Sequence, residues 1–305
     1  MTSPHKPSGP GGPARTWFDR GCQAFKLAAP EIAAKIPCDA FYVCPLCLHA
    51  FDEGALVRRQ LTREDVPPRS VGGRRLALTC HGCNSAGGHR LDCHARREAD
   101  IYDFHAGELN ATRAVLKTRS GRVPISLSAS DGAIRAFCVQ KAAAQETHAA
   151  MMEEFGQAAT DNTWEGFQID IQFMPFSQAD AAASWLRAAY LAFFAALGYR
   201  FVLRGELNVV RSRVTLRQSD HPPIFRIVRR ECSAPRLVRI DEPAVFRSFA
   251  MFHGRNVVLL PASGDYELYD RLAEKPDNTA PMSGIEFPWP RGPMFQLDAR
   301  RGGAD

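Results

Sequence analysis

The sequence predicts an α+β protein in which a small cysteine-bearing module precedes a larger α+β domain. Two C-x2-C pairs, at positions 44/47 and 80/83, bracket a segment whose pattern predicts strand, loop, strand and then helix. Beyond residue 105, short alternating apolar segments typical of strands are interspersed with helical patterns. The 305 residues, 45% of them hydrophobic, are enough to bury a core in both parts.

The cysteine-bearing module is predicted to span residues 16–105, including a helical lead-in. Residues 1–15 are rich in Pro and Gly and lack the apolar stretch of a secretory signal, so we expect a disordered tail. A Gly-Gly turn separates the two strands, and Asn84 or Ser85 is the expected helix cap. The predicted elements are a lead-in helix (17–36), a first strand (41–43), a loop carrying Glu64 and Asp65, a second strand (76–79) and a helix to about Ala99.

The larger α+β domain is predicted to span residues 106–275, followed by an irregular Pro- and Gly-rich tail at 276–305. Its strongest feature is a helix over residues 177–197, with a capping-box pattern at Ser177 and Asp180 and Gly198 just past its end. A second helix is expected over 142–155. Predicted strands are 123–127, 133–139, 167–173, 199–203, 207–214, 224–228, 237–240 and 256–260, with a turn at 131–132.

Several classes of protein are disfavoured by composition. The most apolar stretch, residues 188–197, is far shorter than the roughly 20 residues that cross a bilayer, so no membrane partner is expected. Without an export signal the cytoplasm is the default location, where thiols stay reduced; the nine cysteines therefore argue against a disulfide framework. The mean hydropathy of −0.24 is typical of a soluble globular protein.

The spacing of four cysteines predicts a structural zinc site. Each C-x2-C pair lets two thiolates reach one metal, and the pairs Cys44/Cys47 and Cys80/Cys83 together complete a tetrahedral set. Four thiolates favour Zn²⁺, and such a site has no open coordination position. The alternative is that these are two chance pairs of buried cysteines.

The segment between the cysteine pairs resembles the HNH endonuclease family, in the form flanked by two C-x2-C knuckles. In that family an acidic residue and a His precede a Pro-containing loop, a Gly-Gly turn, a strand and a C-x2-C followed by Asn or His. Here Glu64-Asp65 stands at the acidic-His position, Pro67-Pro68 and Gly72-Gly73 follow, and Asn84 comes directly after Cys83. The resemblance covers about residues 44–93 and implies a zinc-stapled ββα-metal module.

The resemblance implies a hydrolase that cleaves DNA phosphodiester bonds with a catalytic divalent ion such as Mg²⁺. Glu64, Asp65 and Asn84 are the expected ligands or base, and His89 on the following helix is a further catalytic candidate or an exposed helix histidine. Two departures matter: Asp65 replaces the usual general-base His, and the middle Asn of the motif aligns with about Arg75. An unperturbed Asp has a pKa near 3.9, well below that of His.

Charge supports a nucleic-acid partner without deciding between two functions. The net charge is +5 and the pI about 8.8. Residues 54–100 carry nine arginines against five acidic residues, an excess of four, and no lysine. Guanidinium groups suit phosphate contacts, although a genome that favours Arg codons would give the same bias. The sequence therefore predicts an HNH endonuclease or, alternatively, a catalytically degenerate zinc-ribbon module that binds nucleic acid or a protein partner.

Overall fold

The computed structural model describes residues 12–108, 112–130, 133–138, 145–171, 173–215, 226–262 and 283–293. Within these residues the chain forms helices and antiparallel sheets, which confirms the α+β class. The helices are α1 (Pro13–Ala28), α2 (Pro30–Ala33), α3 (Gly54–Val57), α4 (His81–Gly87), α5 (Cys93–His105), α6 (Gln145–Asp161), α7 (Gln178–Leu197), α8 (Tyr199–Val202) and α9 (Asn208–Val214).

In the described part of the chain, eleven strands form four separate sheets. The strands are β1 (Phe41–Val43), β2 (Ala50–Asp52), β3 (Leu61–Val66), β4 (Arg74–Cys80), β5 (Thr112–Thr118), β6 (Gly121–Ser130), β7 (Ala133–Cys138), β8 (Gln168–Ile171), β9 (Arg226–Glu242), β10 (Ser248–Pro261) and β11 (Ser283–Phe287). The sheets are β1-β2, β3-β4, β7-β6-β5-β8 and β10-β9-β11, each in that order.

The chain divides into two compact units, one of Met1–Ala95 with Ala179–Asp305 and one of Arg96–Gln178. The predicted division, 16–105 and 106–275, places these boundaries elsewhere. The physical reason is helix α7, whose buried side chains belong to the same core cluster as those of α1, β1 and β4. Segments distant in sequence thus share the core of the first unit.

In the first unit, the cysteine-bearing segment is organised around two hairpins. Strand β1 pairs with β2, and β3 pairs with β4 in the register Leu61↔Cys80 to Val66↔Arg74. The predicted hairpin is therefore corrected: its first strand is β3, so Glu64 and Asp65 lie on a strand rather than in a loop. Helix α4 begins directly after β4 and continues through a π-helical turn (Gly88–Asp92) into α5.

Helix α4 begins earlier than the sequence predicts. Its N-cap is Cys80, whose Sγ accepts a hydrogen bond from the Cys83 backbone N–H, instead of Asn84 or Ser85. Cys80 is therefore both the last residue of β4 and the N-cap of α4. Strands β3 and β4 and helix α4 thus follow one another in the order ββα.

The sheet β10-β9-β11 and helix α7 supply much of the remaining core of the first unit. Fifteen residues of α7 are buried, and aromatic rings of this helix contact the sheet, as in the edge-to-face pair of Phe193 with Phe249 at 5.2 Å. Burial on nearly all faces explains the almost uninterrupted apolar sequence of the helix. Within the described ranges, no helix combines the length and apolarity needed to cross a bilayer.

The second unit is a four-stranded antiparallel sheet with helix α6. Strands β5 and β6 form its centre, and Met151 of α6 is buried in a cluster with side chains from both. Three ring pairs link Phe155 of α6 with Trp164 and Phe167, at centroid separations of 5.1 to 5.7 Å. This unit carries its own small core.

Other element predictions are partly confirmed. Helix α7, strand β1 and the strands at 123–127, 237–240 and 256–260 lie where the sequence predicts them. Residues 199–203 and 207–214 were predicted as strands but form α8, a 3-10 turn (Gly205–Leu207) and α9. Their aromatic side chains and three of their four valines are buried in the core, where packing overrides local propensity.

The terminal predictions also need correction. Helix α1 begins at Pro13, so the last residues of the predicted 1–15 tail are helical, and residues 1–11 lie outside the described residues. The predicted irregular tail at 276–305 contains strand β11, which pairs with β9. The predicted turn at 131–132 lies outside the described residues.

Candidate functional site

The structure brings the four predicted cysteine ligands together. One sulfur from each of Cys44, Cys47, Cys80 and Cys83 lies within 4.8 Å of the other three. Cys44 and Cys47 follow β1, whereas Cys80 ends β4 and Cys83 lies in the first turn of α4. The two knuckles thus meet because the hairpin β3-β4 returns the chain to the end of β1.

The sulfurs lie close enough together to share one metal ion. Four thiolates at about 2.3 Å from zinc are separated from one another by about 3.8 Å, and Cys47 Sγ lies 3.7 Å from Cys80 Sγ. Backbone amides also point at the sulfurs: the N–H of Cys80 donates to Cys44 Sγ at 3.3 Å. These four cysteines could therefore hold a metal ion such as zinc.

The electrostatics of the sulfur cluster are those of thiols packed against one another. Burial raises the pKa of the Cys44 thiol. The Cys80 thiol is hydrogen-bonded to Cys44, and this contact lowers the pKa of Cys80 to about 7. Sulfurs held this close share protons unless a cation replaces them. A bound metal ion would keep all four ligands as thiolates.

Buried tyrosines hold the first knuckle in place. The Tyr190 hydroxyl of α7 donates to the backbone carbonyl of Pro45 at 2.9 Å, and the Tyr199 hydroxyl donates to that of Val43. The Tyr42 hydroxyl donates to the carbonyl of Leu78 at 2.8 Å and so joins β1 to β4. Helix α7 is therefore a direct support of the cysteine site.

A second polar cluster lies between the hairpin and the helix, and its centre is Arg187 of α7. The Arg187 Nη1 lies 2.8 Å from Glu64 Oε1 on β3 and 3.7 Å from Asp92 Oδ2 in the π-helical turn. Its Nη2 donates to the backbone carbonyl of Cys83 at 3.1 Å. The side chains of Arg187 and Glu64 are each only 3% exposed, so this is a buried ion pair.

A hydroxyl group also donates a hydrogen bond to each of the two carboxylates, Glu64 and Asp92. Thr79 Oγ1 donates to Glu64 Oε2 at 2.9 Å, and Ser184 Oγ donates to Asp92 Oδ1 at 2.7 Å. Burial raises the pKa of both carboxyl groups, and the guanidinium of Arg187 opposes that rise. The arginine thus compensates two acidic groups that would otherwise be poorly solvated.

The remaining predicted catalytic residues are distributed around this cluster. Asn84 Nδ2 donates to Thr62 Oγ1 on β3 at 2.9 Å, so Asn84 does lie against the strand that carries Glu64. Asp65 is partly exposed, and the β3-β4 register shifts between Glu64 and Asp65. His89 is exposed in the π-helical turn. Glu64 and Asn84 therefore face the hairpin–helix interface, and His89 faces solvent.

Sequence reasoning missed Arg187, Asp92 as its partner, and Thr79. Arg187 is the single charged residue between positions 181 and 199, a signal that would have identified it as a side chain with a specific buried partner. The groups that it contacts could not be identified from the sequence because they are distant along the chain; Cys83, for example, is 104 positions from Arg187.

Gly87 lies directly against the guanidinium of Arg187. A Cβ on Gly87 would lie 2.4 Å from Arg187 Cζ, whereas a Cβ on the adjacent Gly88 would meet nothing within 4 Å. The two glycines at the end of α4 therefore have different roles, and only the first makes room for the guanidinium.

Comparison with known proteins adds no relative. The chain matches no protein-family model, and no curated protein or solved structure is significantly similar to it.

Proposed function

We propose that this protein is a zinc-stabilised module of HNH-type architecture that binds nucleic acid without hydrolysing it. The zinc ion would be held by Cys44, Cys47, Cys80 and Cys83, and it would link the end of β1 to the start of α4. Four sulfur ligands leave no coordination position for a substrate, so this metal would be structural.

The observation that carries the proposal is the ion pair of Arg187 with Glu64. In the HNH resemblance Glu64 is an expected ligand of the catalytic ion. A guanidinium nitrogen 2.8 Å from its carboxylate supplies the positive charge that this ion would supply. A catalytic metal also needs open positions for water and phosphate, and a carboxylate that is 3% exposed offers none.

Nucleic acid is the partner that the charge distribution favours. The exposed side chains of the module include seven arginines, namely Arg58, Arg59, Arg63, Arg69, Arg74, Arg75 and Arg90. Of these, Arg58 is paired with Asp52 at 2.5 Å. A surface with an excess of guanidinium groups attracts the phosphate backbone by a largely sequence-independent mechanism.

A metal-dependent DNA endonuclease is the second candidate, because Asp65 and Asn84 are both partly exposed beside the polar cluster. In that case Asp65 would act as base or ligand for a divalent ion such as Mg²⁺. The reaction would be hydrolysis of a DNA phosphodiester.

Incubation of the full chain with plasmid and linear DNA in Mg²⁺, Mn²⁺, Ni²⁺ or Zn²⁺ separates the two. We expect a shifted band, no cleavage, and binding that persists in EDTA too dilute to remove the structural zinc. Cleavage that is lost in Asp65→Ala and Asn84→Ala would establish the nuclease instead. Absence of any shift with DNA and RNA would refute nucleic-acid binding.

A further inference from the structure

The β3-β4 hairpin carries a concentration of arginines from the middle of β3 to the turn that lies farthest from the cysteines. Strand β4 pairs Cys80 with Leu61 at one end and Arg74 with Val66 at the other. We define the hairpin tip as residues 63–75. It carries four exposed arginines, and its acidic residues are Asp65 and the buried Glu64; the arginines are Arg63, Arg69, Arg74 and Arg75.

We propose that the hairpin tip is the surface that contacts the phosphate backbone of nucleic acid. The inference rests on the proposed nucleic-acid-binding function and assigns it to particular residues. Glu64 is already neutralised by Arg187. The four exposed cations of the tip therefore face solvent with Asp65 as the acidic residue beside them.

Two arginines of the tip, Arg63 and Arg75, lie close enough to repel one another. Arg75 lies opposite Asp65 in the strand register, and both burial and the positive charge of Arg75 lower the pKa of Arg63. Among the described residues, none of the four arginines forms an ion pair within 4.0 Å. Asp65 offsets part of this charge, since it raises the pKa of Arg63, but one carboxylate beside four guanidinium groups leaves an excess of positive charge that an anion would stabilise on binding.

The backbone of the tip is closely packed and hydrogen-bonded, which holds its arginines in fixed positions for binding. A Cβ on Gly73 would lie 1.5 Å from the carbonyl oxygen of Pro67, so the two sides of the turn touch. Gly72 has φ +88°, and the N–H groups of Val71 and Gly73 both donate to the Pro68 carbonyl, at 2.9 and 3.1 Å. Arginines on a fixed turn lose less backbone entropy when they bind.

The side-chain chemistry favours nucleic acid over an acidic protein. Protein interfaces depend on buried aromatic and aliphatic anchors. Residues 58–101 are all described, and this stretch exposes no large hydrophobic side chain. Guanidinium groups, in contrast, bind phosphate oxygens through paired N–H donors. A charged and non-apolar turn thus matches a phosphodiester backbone.

The experiment measures binding of the full chain to a fluorescent 20-base-pair duplex by anisotropy, across a series of salt concentrations. The test variant is Arg63→Gln/Arg75→Gln. The control variant, Arg200→Gln/Arg247→Gln, removes the same charge from exposed positions on α8 and before β10. Thermal melting of both variants verifies that each is folded.

We expect the test variant to reduce the slope of log K against log salt by about 2, since each phosphate contact contributes about 0.9. Its Kd at 0.1 M salt should rise on the order of 10- to 60-fold, whereas the control retains the wild-type slope. If the melting of the test variant reveals misfolding, Arg69→Gln/Arg74→Gln provides the same measurement at the same tip.

Each alternative outcome overturns a specific statement. A folded test variant with the wild-type slope would refute the tip as the binding surface and leave nucleic-acid binding intact. No binding by the wild type would refute the proposed function itself. Displacement of the duplex by polyglutamate as effectively as by unlabelled duplex, at equal charge, would overturn nucleic acid as the preferred partner.

Discussion

Replacement of Arg187 by Met removes the guanidinium and keeps a long apolar side chain in the core. Glu64 would then be left as a buried carboxylate with Thr79 as its remaining hydrogen-bond donor. Removal of one partner from a buried ion pair destabilises a protein by about 3–5 kcal/mol. For a unit of this size, each kcal/mol lowers Tm by about 2–4 °C, so we expect a decrease of about 6–20 °C.

The charge origin of this loss is tested by a second substitution. Glu64→Gln in the Arg187→Met background removes the uncompensated charge, and we expect it to recover at least half of the lost Tm. Asp92 needs less compensation because its side chain is 18% exposed. The measurement is thermal melting followed by circular dichroism, with the wild type, both single variants and the double variant in the same buffer.

The stability of the protein should depend on pH, with a sign fixed by the buried Glu64 carboxyl. Burial raises the pKa of Glu64 above its unfolded value, so the folded state retains that proton to higher pH than the unfolded state. The unfolding free energy therefore falls as pH rises above about 4.5 and through the folded pKa. Loss of Arg187 raises this pKa further. Arg187→Met should thus be less damaging at pH 5.5 than at pH 8, whereas the variant that also carries Glu64→Gln should lose this difference.

Two results would refute this account of the cluster. One is a Tm of Arg187→Met within about 2 °C of the wild type, which would mean that the guanidinium compensates nothing. The other is a decrease that Glu64→Gln does not reverse, which would attribute the loss to packing of α7 rather than to the buried carboxylate.

Two further predictions concern the metal and the glycines. Elemental analysis of the purified chain should find about one zinc ion per molecule. The Cys47→Ser variant should contain no zinc because a ligand is lost, whereas the Cys38→Ser variant, which is changed outside the cluster, should retain it. Equal zinc contents in the two variants would contradict the assignment. The Gly87→Ala variant should have a free energy of unfolding about 1–3 kcal/mol lower than the wild type, because the added methyl group meets Arg187. The Gly88→Ala variant should be neutral or stabilising. Denaturant titration compares the two variants, and equal effects would contradict the close approach of Gly87 to Arg187.

Local patterns in the sequence were sufficient where the signal is short in range. The C-x2-C spacing predicted the sulfur cluster, because two residues on one turn reach one metal regardless of the rest of the fold. Periodicity and a terminal glycine predicted α7 as a core helix, and the structure buries most of it. The Gly-Gly turn was predicted as a turn, since positive φ and close backbone approach both favour glycine there.

Local patterns failed where neighbours in space determine the outcome. Residues 208–214 contain three valines and were predicted as a strand, yet they form α9 with Val210 and Val214 buried in the core. The resemblance to HNH endonucleases implies that Glu64 is a ligand of a catalytic ion, and that role stays a prediction, whereas the structure pairs Glu64 with Arg187. The sequence contains no local sign that a guanidinium from a distant helix neutralises Glu64.

The sequence by itself determined the α+β class, the cluster of four cysteine sulfurs and the position of the longest core helix, because each of these depends on spacing or periodicity within one segment. Only the tertiary structure decided that β3 carries the acidic residues, that α7 packs against the cysteine-bearing segment, and that Arg187 reaches Glu64. Burial and ion pairing depend on which segments meet, and that information is spread over more than 100 positions of the chain.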